Sequence, residues 1–191
     1  MHCSPFHPND CTGLDWKRIV DVMNIIGNTP LHEACIHGNL SIVKELLNHG
    51  ADPNVQKITF GEGKTPLQTA CTEGYVAVVK TILDHNRELG KQLIEAPVKE
   101  TGSTLMHFAA ENGDLQMVKV LLEYGTNPSV QNNAKEAPIH IAVGQGYTDI
   151  ARLLLDCDSS YKDILDKQDR TPLHYAARNN QVEMIELLLS K

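Results

Sequence analysis

A block of six residues that reads Thr-Pro-Leu-His-x-Ala, with some substitutions, occurs five times along the 191-residue chain. Its copies occupy residues 29–34, 65–70, 104–109, 137–142 and 171–176. A second block, rich in Ile, Val and Leu, follows each copy, at residues 42–47, 78–83, 117–122, 150–155 and 184–189. A repeat with a period of 33 to 39 residues predicts a stack of similar units, because one such unit cannot bury its apolar face alone.

Each unit is predicted to contain two helices. Thr is a good helix N-cap, and Pro at the next position lacks an amide that would have no partner in the first turn. The second block places apolar residues at i, i+3, i+4 and i+7, which is typical of an amphipathic helix. No apolar run with a period of two is long enough for a core strand, so circular dichroism should show mainly helix. The first helix of a unit is expected to end at a glycine that can adopt positive φ, at Gly38, Gly74, Gly113 and Gly146.

Together these motifs resemble the ankyrin repeat. The resemblance rests on the Thr-Pro-Leu-His-x-Ala block, the glycine after the first helix, the Ile-Val-x-x-Leu-Leu block and the Gly-Ala-Asp-Pro-Asn exit at residues 50–54. It covers about residues 24–191 and implies an all-α solenoid of helix-turn-helix units with projecting turns. The repeats would span about 24–56, 57–97, 98–131, 132–165 and 166–191, after an N-terminal tail and capping helix at residues 1–23.

Several positions depart from the repeated pattern, and each departure is expected to weaken a local cap or hydrogen bond. A lost N-cap costs about 0.5–2 kcal/mol. The 39-residue interval between the second and third copies adds residues around 87–98, and residues 87–94 are expected to lengthen the exit from the second helix. The departures are Gln68 for His, Leu105 for Pro, Ala137 for Thr, and Lys135 and Asn180 for turn glycines.

The two ends of the array carry separate predictions. Trp16, Ile19, Val20 and Met23 fall at i, i+3, i+4 and i+7, which predicts an amphipathic helix at residues 14–23 that covers the first repeat. Trp16, the single Trp, should then have blue-shifted fluorescence, and Trp16→Ala should lower stability. The fifth repeat lacks an exit turn, so the natural chain is expected to continue beyond Lys191 or to have this end covered by a partner, and the last helix should fray first.

Composition excludes several classes of protein. A net charge of −7 argues against nucleic-acid binding, which typically requires a basic patch. No apolar stretch approaches the ~18 residues of a membrane-spanning helix, so membrane insertion is not expected. The five cysteines lack the spacing of a disulfide framework, which favours reduced thiols and a cytoplasmic or nuclear location.

Two short motifs suggest ligands, and both are better explained otherwise. Residues 61–65 read like the end of a phosphate-binding loop, but Ile58 stands where its first glycine would be required. No cofactor is therefore predicted. A zinc site could use four side chains near the N-terminus, but their spacing fits no closed zinc finger, and whether they bind metal stays open. These are His2, Cys3, His7 and Cys11.

The recurring histidines are interpreted as structural, so no catalytic residue is predicted. They occupy one position of the repeat, one turn into the first helix, and the resemblance implies hydrogen bonds from the imidazole to the Thr hydroxyl and to a neighbouring turn. A catalytic role for one of them would have to explain the others. These histidines are His32, His107, His140 and His174.

A stack of two-helix units presents a continuous concave surface, so we expect a non-catalytic scaffold that binds another protein or a peptide and is monomeric alone. The alternative is the targeting domain of a longer enzyme, a ligase adaptor or a secreted microbial effector. The resemblance implies that partners contact the turn before each block and the end of each first helix. These residues are Asn28, Ile36, His37, Glu62, Lys64, Thr72, Glu73, Thr101, Ser103, Glu111, Asn112, Ala134, Glu136, Gly144, Gln145, Gln168, Arg170, Arg178 and Asn179.

The charges of this surface are expected to change sign along the stack. Glutamates predominate in the second and third repeats, at positions 62, 73, 100 and 111, against Lys64. Lys167, Arg170 and Arg178 stand against Asp169 in the fifth. Replacing Arg170 and Arg178 together by Glu is therefore expected to slow partner association without disturbing the fold. If substitutions at Lys44, Lys119 and Glu186 on the outer helices abolished binding instead, the partner would dock on the convex side.

Overall fold

A computed structural model of the chain describes residues 19–57 and 63–191. Eleven α-helices lie wholly within these ranges, which contain no strand, so the all-α prediction is confirmed. The helices are α1 (Pro30–Ile36), α2 (Leu40–Asn48), α3 (Pro66–Thr72), α4 (Val76–His85), α5 (Arg87–Ile94), α6 (Leu105–Glu111), α7 (Leu115–Glu123), α8 (Pro138–Gln145), α9 (Thr148–Cys157), α10 (Pro172–Arg178) and α11 (Val182–Ser190). A 3₁₀ helix, Ser159–Asp163, follows α9.

Ten of these helices form five antiparallel pairs. We call α1, α3, α6, α8 and α10 the inner helices, and α2, α4, α7, α9 and α11 the outer helices. Each inner helix contacts the inner helix of the next pair, and the outer helices contact each other in the same order. The core therefore runs continuously through the stack, as expected for a repeat protein in which units contact only their neighbours.

The repeated block explains the close contact between inner helices. Its last residue is a buried alanine in every pair, and these small side chains allow neighbouring backbones to approach. Its third residue is a larger apolar side chain that fills the space between pairs, as at Leu31, which is fully buried. The alanines are Ala34, Ala70, Ala109, Ala142 and Ala176.

The turn after each inner helix requires a left-handed backbone, and at two of these turns the next pair also occupies the space of a side chain. Gly38 has φ +65° and Gly113 has φ +69°. A Cβ added to Gly38 would lie 2.6 Å from Tyr75, and one added to Gly113 would lie 2.5 Å from Tyr147. At Gly74 and Gly146 the nearest neighbours are instead Asp114 at 3.7 Å and Gln181 at 3.2 Å. A tyrosine ring thus packs on the turn glycine at every other interface between pairs.

Within the described ranges, three residues other than glycine also adopt positive φ: Lys135 at 56°, Asp169 at 55° and Asn180 at 55°. Lys135 is the most costly of these, since Asn and Asp tolerate the left-handed region better than residues with long side chains. We expect Lys135→Gly to raise the free energy of unfolding by about 0.5–1 kcal/mol, because relief of strain outweighs the extra entropy of the unfolded chain. Urea denaturation measures the gain. Lys135→Ala is the control, since it removes the same charge but keeps Cβ, and an equal gain in that variant would contradict the explanation.

Two departures from the repeat were misjudged from the sequence. Gln68 does not weaken its bond: Oε1 accepts from the Thr65 backbone N–H at 2.9 Å, and Nε2 donates to the Ala96 carbonyl at 2.8 Å. An amide carries both the acceptor and the donor that a neutral imidazole supplies. Residues 87–94 do not lengthen the exit but form α5, a separate helix that packs on α4. It begins there because the Asn86 side chain caps the backbone N–H groups of residues 88 and 89.

The N-terminal helix predicted for residues 14–23 falls only in part within the described residues. Ile19 and Val20 are helical, but residue 21 lies in a turn, so the helix ends earlier than predicted. Asp21 instead accepts a hydrogen bond from the Asp52 backbone N–H at 3.1 Å. Trp16 and the predictions that rest on it lie outside the described residues. None of the helices in the described ranges has the length and apolar character needed to cross a bilayer.

Candidate functional site

A groove of about 880 Å³ runs along the inner helices from the second pair to the fifth. Its walls are the turns that precede the inner helices and the C-terminal ends of those helices. The lining residues are Lys64, Thr72, Thr101, Ser103, Phe108, Glu111, Asn112, Asn132, Asn133, Ala134, Glu136, His140, Ile141, Gly144, Gln145, Tyr175, Arg178 and Asn179.

The groove brings together twelve of the residues proposed from the sequence as partner contacts. They are Lys64, Thr72, Thr101, Ser103, Glu111, Asn112, Ala134, Glu136, Gly144, Gln145, Arg178 and Asn179. Glu62 lies outside the described residues. The remaining six do not line the groove, and they are Asn28, Ile36, His37, Glu73, Gln168 and Arg170.

The sequence interpretation missed the apolar floor of the groove. Phe108, Ile141 and Tyr175 occupy the variable position of the Thr-Pro-Leu-His-x-Ala block in the third, fourth and fifth pairs. The same position holds Glu33 and Thr69 in the first two. A position that varies inside an otherwise constant block marks a side chain not required for packing, and this signal could have identified the floor.

At the third pair, the floor is covered by a cation that comes from the turn before the second pair. The Lys64 ammonium lies 4.8 Å from the centre of the Phe108 ring, a distance at which the ring face attracts positive charge. Phe108 is only 7% exposed. The apolar surface that remains open to a ligand is therefore centred on the half-buried Ile141 and Tyr175.

At the fifth pair, an ion pair between a buried carboxylate and a half-buried guanidinium supports the groove. Asp166 is only 2% exposed, and its Oδ2 accepts from Arg170 Nε at 2.7 Å and from Nη2 at 2.6 Å. Its Oδ1 accepts from the backbone N–H groups of Gln168 and Arg170. Burial alone would raise the pKa of the Asp166 carboxyl, but these hydrogen bonds outweigh that effect and hold the pKa well below its usual range.

The role of Arg170 differs from the one predicted. The sequence analysis places it among the partner-contact residues, where a change to Glu should leave the fold intact. Its guanidinium instead neutralises Asp166 and lies 4.8 Å from the centre of the Tyr175 ring. Arg170→Glu would place a second carboxylate against a buried one, so the expectation of an intact fold was wrong.

Tyr175 connects the fourth and fifth pairs. Its hydroxyl lies 2.8 Å from Glu136 Oε1 and 2.7 Å from Asp166 Oδ2, and its ring meets His140 edge-on with centres 5.4 Å apart. Burial and the hydrogen bonds to the two carboxylates raise the pKa of Tyr175 above its usual value. The ring also lies close over Gly144, where an added Cβ would be 3.2 Å from Cδ1. Glu136 is thereby held at the edge of the groove.

Two of the proposed partner contacts have structural partners of their own. Asn112 donates from Nδ2 to the Thr72 carbonyl at 2.6 Å, and Asn179 donates to the Gly144 carbonyl at 2.7 Å. Both bonds link the end of one inner helix to the end of the preceding one. They fix the spacing of the inner helices along the groove wall.

The recurring histidines hold the turns that form the other wall. The Nε2 atoms of His32, His107 and His140 contact carbonyls of the next turn, at Lys64 (3.1 Å), Glu136 (3.0 Å) and Ile164 (2.9 Å). Burial lowers the pKa of all three imidazoles. The predicted contacts with both the Thr hydroxyl and a neighbouring turn are thus confirmed for His32 and His107. His140 makes only the contact with the turn, because Ala137 stands in place of Thr.

His174, at the same position of the fifth pair, has only part of this arrangement. It is exposed, and its Nδ1 accepts from the Thr171 backbone N–H at 3.1 Å. No group of three or more His, Cys, Asp or Glu in the described parts of the chain is arranged to hold a metal ion. His2, Cys3, His7 and Cys11 lie outside those parts.

Comparison with known proteins agrees with the geometry of the stack. A family model described as ankyrin repeats matches residues 12–93, 57–132 and 106–191. Human "Transient receptor potential cation channel subfamily A member 1" is 32% identical over 185 residues, which cover 90% of this chain and 15% of the channel. The protein named "Probable 26S proteasome regulatory subunit p28" in Saccharomyces cerevisiae is 28% identical over 165 residues, covering 85% of this chain and 70% of the subunit. An ankyrin repeat protein of fowlpox virus is 35% identical over 92 residues, 48% of this chain and 21% of the viral protein.

Proposed function

Because this chain belongs to the ankyrin repeat family, we propose that it is a non-catalytic module that binds a partner protein through the groove along its inner helices. Ankyrin repeats generally mediate protein–protein interaction. The observation that carries the proposal is the groove itself, which crosses several successive pairs and combines an apolar floor with exposed polar walls. Binding sites are typically concave and combine apolar surface with a few well-placed polar groups.

The test compares two sets of charge-changing substitutions in the full chain. The groove variant combines Glu111→Arg, Gln145→Arg and Arg178→Glu, and all three residues are exposed. The control variant combines Lys44→Glu, Lys119→Glu and Glu186→Arg, which are exposed positions on the outer helices. Proteins retained by the wild-type chain from a lysate of its source are identified by mass spectrometry. We expect the groove variant to lose at least one partner that the control variant retains.

The opposite pattern would overturn the proposal. If the control variant lost the partners and the groove variant retained them, binding would occur on the outer helices. Circular dichroism of both variants checks that their helical content matches that of the wild type, so that loss of binding cannot be confused with unfolding.

A second candidate function is the targeting domain of a longer protein, such as an enzyme, a ligase adaptor or a secreted microbial effector. It is favoured by the short share of two relatives that the chain spans, 15% of the human channel and 21% of the viral protein. The yeast relative, of which the chain spans 70%, favours the scaffold. Both functions would use the same groove. Sequencing the complete transcript distinguishes them, because only the second requires another functional domain in the same reading frame.

We propose a reducing compartment, cytoplasmic or nuclear, as the place of action. Cys35 and Cys71 are buried free thiols, and burial raises the pKa of each to about 12. Such thiols are small core residues of low reactivity. Fusion to a fluorescent protein and imaging in cells of the source would test the location, and retention in the secretory pathway would contradict it.

A further inference from the structure

We propose that the groove binds an extended peptide segment that carries a lysine or arginine, with the cation between Glu111 and Glu136 and the aliphatic stem on Ile141. This inference rests on the proposed function and specifies the chemistry of the partner. It follows from the order of charges along the groove, from the hydrogen bonding of Glu136 and from the position of the open apolar floor.

The charged residues that line the groove follow the order positive, negative, negative, positive. Lys64 lies at the second pair, Glu111 at the third, Glu136 at the fourth and Arg178 at the fifth. Glu111 lies at the end of an inner helix and Glu136 in the turn before the next one, so the two carboxylates belong to opposite walls. The middle of the groove is therefore negative and its ends are positive. A ligand that matches this order has a cation at its centre.

Glu136 lacks the compensation that its neighbour Asp166 receives. The Tyr175 hydroxyl lies within hydrogen-bond distance of both carboxylates, but a phenol has one proton and can donate to only one of them. Asp166 also receives the charge of Arg170 and two backbone N–H groups. For Glu136, the other described side-chain donor is the Asn132 amide, which lies 3.4 Å from Oε2. None of the salt bridges between described residues involves Glu136, so its charge is available to a ligand.

The floor beside these carboxylates suits the stem of a long basic side chain. Ile141 is half-buried and lines the groove together with both glutamates. Lysine and arginine place their methylene groups on apolar surface while the charged end reaches polar partners. The chain as a whole carries a net charge of −7, which attracts a basic segment at long range.

The probe is a phage-displayed library of random 12-residue peptides, selected on the full wild-type chain. We expect the enriched peptides to share a Lys or Arg next to an apolar residue. The strongest binder is then synthesised with a fluorescent label, and its Kd is measured by fluorescence polarisation. Glu136→Gln keeps the acceptor for Tyr175 and removes the charge, and it should weaken binding about fivefold. Glu186→Gln, the charge-matched control on an outer helix, should leave Kd unchanged.

A peptide variant with the basic residue replaced by norleucine completes the test. Its loss of affinity should be smaller on Glu136→Gln than on the wild type, because the two changes remove the same interaction. Enriched peptides without a basic residue, or additive effects of the two changes, would overturn the inference. Suppose that the enriched peptides lacked a basic residue: if the groove variant of the preceding section did not bind them, the proposed function would hold and only the present inference would fail. If the groove variant still bound them, or if the library gave no enriched peptide, the proposed function and the inference would both fail.

Discussion

Lowering the pH from 7 to 5 should destabilise this fold, and replacing three histidines by glutamine should suppress a large part of that loss. The reason lies in how the imidazoles are bonded. In His32, His107 and His140, Nδ1 accepts from the backbone N–H of the first residue of the block, so the proton of the neutral ring sits on Nε2 and is donated to the next turn. Protonation of Nδ1 would remove the acceptor and place a charge in the core.

The sign of the effect follows from the direction of the pKa shifts. Burial lowers the pKa of the three imidazoles below the usual value of about 6.5, so the folded state binds fewer protons than the unfolded state. Their contribution to stability is complete above pH 6.5 and is lost as the pH falls through the folded-state pKa values. Between about pH 6.5 and its folded-state pKa, each histidine lowers the free energy of unfolding by up to about 1.4 kcal/mol for each unit by which the pH falls.

The chain itself suggests the substitution. Gln68 occupies the same position in the second pair and makes both hydrogen bonds without a titratable group. Urea denaturation of the wild type and of the variant with His32→Gln, His107→Gln and His140→Gln, at pH 7 and pH 5, measures the difference. His37→Gln, at an exposed position, is the control. An equal loss in all three proteins would contradict the explanation, and the single variant His107→Gln provides the test should the triple variant not fold.

Removal of the Arg170 guanidinium should clearly destabilise the fold, because it leaves the buried Asp166 carboxylate without its charged partner. Arg170→Met deprives Asp166 of both guanidinium hydrogen bonds while the carboxylate stays buried. Arg178→Met makes the same chemical change at an exposed residue eight positions further along, where the effect should be within about 0.5 kcal/mol.

Thermal and urea unfolding of the two variants measure the contrast. The variant with Arg170→Met and Asp166→Asn adds a further check, since the amide keeps the Oδ1 acceptor of the turn, as at Asn24 and Asn132, and removal of both charges should restore part of the lost stability. Equal stability of the two single variants would show that Asp166 gains nothing from Arg170.

The helices were predictable from the sequence because their determinants are local. Thr or Ala before Pro, the glycine that follows and the apolar spacing each act within one or two turns. The structural role of the histidines was predictable as well, because recurrence at one position argues against a unique chemical task. The role of Gln68 was misjudged because Gln differs from His in residue type but supplies the same acceptor and donor.

The features that were missed depend on the geometry of a turn or on contacts between pairs. Arg170 looked like a free cation because its neutralisation requires a turn that folds Asp166 back onto it. The same turn recurs at Asn24 with residue 28 and at Asn132 with residue 136, so the signal was present as an Asn or Asp five residues before each of these blocks. The apolar floor of the groove was missed because its side chains come from three separate pairs and meet only when the pairs stack.

The alternation of tyrosines at the junctions has a consequence for how the array comes apart. In a linear array, stability is a sum of terms for each unit and for each interface. A tyrosine ring packed on the facing glycine joins the first pair to the second and the third to the fourth, whereas only Asp114 and Gln181 reach the corresponding glycines at the other two interfaces. Because Tyr175 also joins the fifth pair to the fourth, the chain is built as one block of two pairs and one block of three, and partial unfolding should separate it at the boundary between the second and third pairs, with Gly38 and Gly113 remaining inside the parts that stay folded.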